Sequence, residues 1–315
     1  MDKKTGCRKW IVSLFLVLII GMGGFYFLVN VERETLGEEA KKAAPGEFIT
    51  LSMGEVHYQL SGAGDAPVVV LVHGFSVPSY VWNPTVSALE EAGYQVLVFD
   101  LYGRGYSERV AGVYDIDLFT HQLELLLESL GIVEPVVVGG LSMGGPIAAR
   151  FAQLHPEQVS SVILISPEVF QPTVKDFFPL NIPYVGEYLM GAVMEPFLLP
   201  KLQAADFFHP ERYPDWEDRY RIQLQYKGTG RALLSTIRSL ADHDPANEYR
   251  ALQETNLPVL LLWGEADQTI GWDQIETLKG LLPVMRIEII PEAGHLPQYE
   301  QPGIVNPAII EFMGK

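Results

Sequence analysis

The residues best suited to chemistry are Gly140-Leu141-Ser142-Met143-Gly144, which follow the β-branched run Val136–Val138 and precede a stretch of helical composition opening at Pro146. A sharp strand-to-helix turn here would hold the serine in strained backbone with its hydroxyl exposed above a sheet. The flanking glycines remove Cβ atoms that would collide in such a turn. A phosphate-cradling glycine loop would need Lys-Ser or Lys-Thr next, where Pro146-Ile147 stand. Gly103-Arg104-Gly105 lacks the third glycine of a dinucleotide fingerprint.

A serine hydroxyl is a poor nucleophile at neutral pH and needs a base, which needs an orienting acid. His295 closes Pro291-Glu292-Ala293-Gly294-His295, and Asp267 closes Trp263-Gly264-Glu265-Ala266-Asp267. Alone, each reads as an ordinary loop or turn residue. Together they give the order Ser142, Asp267, His295, each just past an expected parallel strand, where open α/β sheets bind ligands. Acyl transfer also needs two backbone N–H groups aimed at the developing oxyanion, each worth roughly 3 kcal/mol of barrier. Met143 follows the nucleophile and supplies one. Phe75, in His73-Gly74-Phe75 after the run Val68–Val72, is placed to supply the other. His73 reads as a residue that fixes this loop. No metal or organic cofactor is expected, since His73, His121 and His155 show no ligand spacing with one another.

The elements that must position these residues alternate. Strands are expected at Phe48–Leu51, His57–Leu60, Val68–Val72, Val96–Phe99, Val136–Val138, Val162–Ile165, Val259–Trp263 and Arg286–Ile290. Helices are expected at Tyr80–Ala92, Leu118–Leu130, Pro146–Leu154, Trp272–Leu281 and Pro307–Met313, the last with Asn306 as its N-cap. This alternation implies a mostly parallel sheet wrapped by helices, an α/β fold. Residues 168–245 break the rhythm with many prolines and bulky apolar residues, and read as a helical insertion, or cap, between two strands. The core is then 47–167 and 246–315.

Trp10–Val29 is twenty residues without a charge, enough for a helix of roughly 30 Å, the thickness of a bilayer's hydrocarbon core. It is expected to be a transmembrane anchor after a basic tail (1–9) and before a linker (30–46). A cleaved signal peptide is the competing reading. It would usually have a shorter apolar region and a small-x-small site, and Lys41 and Lys42 occupy the positions such a site would need near Ala43 and Ala44. Four Lys/Arg before the span against three just after it lean towards a cytoplasmic tail and an extracytoplasmic body. The net charge is −17, with residues 45–315 holding 15 Lys/Arg against 34 Asp/Glu. Such a body repels nucleic acid, so no nucleic-acid partner is expected. The single Cys7 excludes internal disulfides.

Taken together, His73-Gly74-Phe75, Asp100–Ser107, Gly140–Gly145, Gly264–Asp267 and Ala293–His295 resemble the α/β-hydrolase fold superfamily over roughly residues 48–315. The resemblance implies an eight-stranded sheet with the cap between strands six and seven. It also implies Ser142 as nucleophile, His295 as base and acid, Asp267 as orienting acid, and Phe75 and Met143 as oxyanion hole. Some members take the acid from the loop after strand six, which makes Glu168 the reserve. Serine at the elbow argues against epoxide hydrolases and haloalkane dehalogenases, and Phe75-Ser76-Val77 does not match proline iminopeptidases. The expected function is cleavage of small-molecule esters, lipid-like or medium-chain, monoacylglycerols included. Carbon–carbon bond hydrolysis, cofactor-free perhydrolysis and a non-catalytic binding or scaffold role are the alternatives. An ester hydrolase of this kind should lose activity on acidification as His295 protonates, at an apparent pKa of about 6–7.5.

Overall fold

The computed structural model describes residues 3–314. Met1 and Asp2 of the expected basic tail, and Lys315, lie outside the described residues. The strands are β1 (Glu47–Thr50), β2 (Glu55–Ser61), β3 (Val68–Val72), β4 (Gln95–Phe99), β5 (Val136–Leu141), β6 (Val159–Ile165), β7 (Val259–Gly264) and β8 (Arg286–Ile290). They form one eight-stranded sheet in the order β1-β2-β4-β3-β5-β6-β7-β8. From β3 to β8 all neighbours are parallel, while β1 and β2 add an antiparallel edge. The sheet is the mostly parallel one expected.

Strand side chains alternate between faces with period two, and both faces are covered. Val70, Val72, Leu97, Phe99, Val138, Leu164 and Leu261 pack on one side with Phe119, Leu123, Phe151 and Tyr249. These partners come from the helices Ile116–Ser129, Gly144–Leu154 and Ala246–Thr255. Val69, Leu71, Val96, Val98, Ile163, Ile165 and Leu262 pack on the other side with Trp82, Leu89, Val305 and Ile309. Each βα turn is thereby held at the carboxyl edge of the sheet, where the candidate residues lie.

Two expectations are corrected. The last helix is Pro302–Phe312, with Pro302 in its first turn and Pro307 inside it. Asn306 is not its cap; its side-chain amide donates to the Pro84 carbonyl at 3.0 Å and ties this helix to Asn83–Glu91. Residues 30–46, expected as a plain linker, contain the helix Glu38–Ala43 and a bridge to residues 168–245. There Glu34 N–H donates to the Gln225 carbonyl and Lys227 N–H to the Glu34 carbonyl, both at 2.9 Å.

Between β6 and β7 lie the helices Val185–Leu189, Met190–Leu198, Leu199–Ala204, Trp216–Leu224, Thr229–Leu240 and Ala246–Thr255. Met190–Leu198 is a π-helix with Pro196 inside it, and a proline cannot donate the regular helical bond. The first described helix runs Lys3–Val29, so it starts within the expected tail. Its segment Trp10–Val29 has a mean hydropathy of 2.5 and is unburied, long and apolar enough to cross a membrane.

Candidate active site

Ser142 stands where β5 turns into the helix Gly144–Leu154, at φ +53°, a left-handed conformation uncommon outside glycine. The turn is pinned from three sides. Ser142 N–H donates to the Ile165 carbonyl at 3.0 Å, and its carbonyl accepts from Gly145 N–H at 2.8 Å and Glu168 N–H at 3.0 Å. A Cβ on Gly140 would collide with the Gly144 carbonyl, which is why the tight turn needs glycine. Ser142 itself is only half-buried.

The loop after β3 passes directly beside it. A Cβ at Gly74 would lie 3.1 Å from Ser142 Cβ. His73 fixes this loop. Leu101 N–H donates to its Nε2 at 2.9 Å, so Nδ1 carries the proton and donates to the Gly74 carbonyl at 2.8 Å. Burial pushes the imidazole down to about 4, and it stays neutral. Arg104, fully buried, donates to the Phe75 carbonyl at 2.9 Å and to Thr236 Oγ1 at 2.8 Å. Among the described residues the N–H groups of Phe75 and Met143 have no acceptor.

His295 is buried past β8, and its Nδ1 pairs with Asp267 Oδ2 at 2.9 Å. The other oxygen, Oδ1, accepts from Thr269 N–H at 2.9 Å and Ile270 N–H at 3.0 Å. Burial opposes ionisation of Asp267, but His295, the Ile270 amide and the Ser166 hydroxyl outweigh it and hold the carboxyl below its usual range. Burial likewise opposes charge on His295, yet Asp267, Asp206 and Glu168 together hold the imidazole above its ordinary value.

Ser142, Met143, Phe75, Asp267, His295 and Glu168, the residues expected at the site, all follow the carboxyl ends of parallel strands of the one sheet. Glu168 lies within electrostatic reach of His295 but leaves the hydrogen bond at Nδ1 to Asp267. Burial pushes its carboxyl up to about 7, with His295 pulling the other way.

Asp206 was missed. Its carbonyl accepts from His295 N–H at 2.8 Å, and Thr269 Oγ1 donates to its Oδ1 at 2.6 Å. Glu300 was also missed, and it accepts from Gly294 N–H at 2.6 Å and Phe208 N–H at 2.7 Å. Both tie the histidine loop to the segment Ala204–His209, and neither lies in a local pattern that marks it.

A family model described as alpha/beta hydrolase fold matches residues 67–302. A 2-hydroxy-6-oxononadienedioate/2-hydroxy-6-oxononatrienedioate hydrolase of Dechloromonas aromatica is 28% identical over 89% of this chain and 99% of its own length. The carboxylesterase YbfK of Bacillus subtilis is 26% identical over 84% of this chain and 86% of its own. Among solved structures, a thermophilic esterase from Thermogutta terrifontis is 26% identical with a TM-score of 0.72, covering 86% of this chain and 98% of that one.

Proposed function

The chain belongs to the alpha/beta hydrolase fold family, and we propose that within it the protein is a membrane-anchored serine esterase. Its substrates are lipid-like or medium-chain carboxylic esters, monoacylglycerols among them. The observation that carries this reading is the buried His295–Asp267 pair at the same sheet edge as a strained, half-exposed Ser142.

Ser142 Oγ attacks the ester carbonyl while His295 Nε2 takes its proton, and Asp267 holds Nδ1–H and stabilises the imidazolium. The N–H groups of Phe75 and Met143 receive the oxyanion. Collapse breaks the carbon–oxygen bond, His295 returns the proton to the leaving alcohol, and an acyl group stays on Ser142. Water then repeats the sequence, releasing the acid and the free serine. Residues 168–245 form the cap over this edge. Trp10–Val29 anchors the chain, and the body lies on the extracytoplasmic side.

Carbon–carbon bond hydrolysis is the second reading, favoured by the Dechloromonas relative. The two separate in one panel: p-nitrophenyl esters of two to sixteen carbons, a monoacylglycerol, and a vinylogous diketone of the kind formed by aromatic ring opening. The esterase reading expects turnover peaking at one acyl length and none on the diketone. Turnover of the diketone far above that of every ester would overturn it.

A further inference from the structure

The N-terminal helix does not stand apart from the body; it packs along the cap in a defined register. Gly191 lies against Tyr26 and Asn30, where a Cβ would come within 2.7 Å of the Tyr26 ring and 2.9 Å of Asn30 Nδ2. Three residues earlier, the Tyr188 ring lies 5.9 Å from that of Tyr26, and its hydroxyl donates to the Met22 carbonyl at 3.3 Å. Moving back along the cap from Gly191 to Tyr188 therefore moves about one turn away from the helix's Val29 end. Met22 is seven residues from that end, a depth of about 10 Å along the helix.

Tyr188 is preceded in the chain by an apolar stretch. Phe177–Val185 (Phe-Phe-Pro-Leu-Asn-Ile-Pro-Tyr-Val) holds nine residues without a charge. It turns apolar side chains outward: Tyr184 is 89% exposed and Phe178 69%, with Ile182 and Val185 also exposed. Tyr184 has φ +65°, an outlier for a bulky residue, so its outward ring sits on strained backbone. Arg238 borders the segment, donating to the Leu180 carbonyl at 3.0 Å. Lys175 and Asp176 precede the segment in the chain, and Glu187 pairs with Arg238 at 2.7 Å.

We infer that Phe177–Val185 is a second membrane contact, embedded in lipid beside the N-terminal helix and fixing the cap against the bilayer surface. The inference rests on the reading of Trp10–Val29 as a spanning anchor, because that span sets the depth at which Tyr188 meets Met22. With the helix across the bilayer, Tyr188 meets it at Met22, so a segment ending three residues before Tyr188 is within reach of headgroups and acyl chains. Its aromatic and proline-rich, uncharged composition suits that interface. The cap also holds Asp206 against the His295 loop, so the site is carried to the lipid surface with it.

Depth-dependent quenching tests this on the full chain in phosphatidylcholine vesicles. In a Cys7→Ser background, single cysteines carrying an environment-sensitive fluorophore replace Val17, Phe178, Tyr184 or Val133. Val133 is 80% exposed and precedes β5, at the opposite end of the sheet from the cap. Each variant is first shown to keep the parent's thermal melt, and Phe178→Cys and Tyr184→Cys report on the segment independently. The expected result is loss of emission with doxyl-labelled lipid at positions 17, 178 and 184, and none at 133. Quenching at 17 with none at 178 and 184 overturns the second contact and leaves the anchor standing. No quenching at 17 overturns the anchor reading and this inference with it.

Discussion

Replacing Asp267 with asparagine removes the charge facing His295 while keeping the side chain's size. The contact is 2.9 Å, so the charge centres of carboxylate and imidazolium stand about 4 Å apart, worth about 4 kcal/mol at an effective dielectric near 20. That stabilisation exists only when His295 carries the proton from Ser142, so its loss falls on the transition state. A barrier higher by about 4 kcal/mol slows turnover roughly a thousandfold. Loss of the correct tautomer adds to this, and kcat should fall by about 10³–10⁴ with KM little changed. Glu168→Gln removes a carboxyl that makes no hydrogen bond to the ring, and should cost less than about tenfold. The assay is initial-rate hydrolysis of a short p-nitrophenyl ester by the detergent-solubilised chain, with kcat and KM separated. Near-parental turnover in Asp267→Asn together with collapse in Glu168→Gln would refute the reasoning and hand the acid's role to Glu168.

Three further outcomes follow from the charges. The imidazole of His295 is held above its ordinary value, so kcat/KM should fall on acidification with a midpoint above about 6.5. The same limb should move to lower pH in Asp267→Asn, and a profile flat from pH 5 to 8 would speak against His295 as the base. Asp100, buried, accepts from both the N–H and the hydroxyl of Ser79, from Tyr106 N–H, and from His57 Nδ1 at 2.8 Å. His57 Nε2 faces the Pro45 carbonyl, so both ring nitrogens must donate and the ring is a buried cation. Asp100→Asn strands that cation and should cost about 3–5 kcal/mol, read as a lower denaturation midpoint; an unchanged midpoint would deny the ion pair. Glu195 is pushed up to about 9 by burial and by Glu32. A carboxyl held protonated in the folded state gives stability that declines as pH rises from its unfolded value towards 9. Glu195→Gln should flatten this slope in thermal melts between pH 5 and 9, and an unchanged slope would place the coupling elsewhere.

Much of the architecture was legible because it depends on local pattern. Val68–Val72 and Arg286–Ile290 are strands over the residues expected; the first is a buried, unbroken apolar run, while the second, at the sheet edge, mixes Arg and Glu with isoleucine and is only partly buried. β5 runs on from Val138 to Leu141 because Gly139 and Gly140 pair with β3 and β6, a tertiary effect that overrides glycine's poor strand propensity. Pro307 suggested a helix start, but Val305, Ala308 and Ile309 bury one continuous face from Pro302 onward, and that packing carries the helix through the second proline. At the site, Asp267 and His295 each read alone as an ordinary turn or loop residue, and only their joint placement with Ser142 after strands singled them out. Asp206 and Glu300 act across the join between cap and core, and the Glu32–Glu195 encounter depends on how residues 30–46 dock. No spacing along the chain encodes such meetings.

The central claim is that Ser142 is an activated nucleophile. The most direct measurement is intact-mass analysis of the solubilised chain and its Ser142→Ala variant after reaction with a fluorophosphonate, followed by peptide mapping. One adduct on the parent, mapped to Ser142 and absent from the variant, is the predicted result. No adduct, or the same adduct on both chains, would contradict the account.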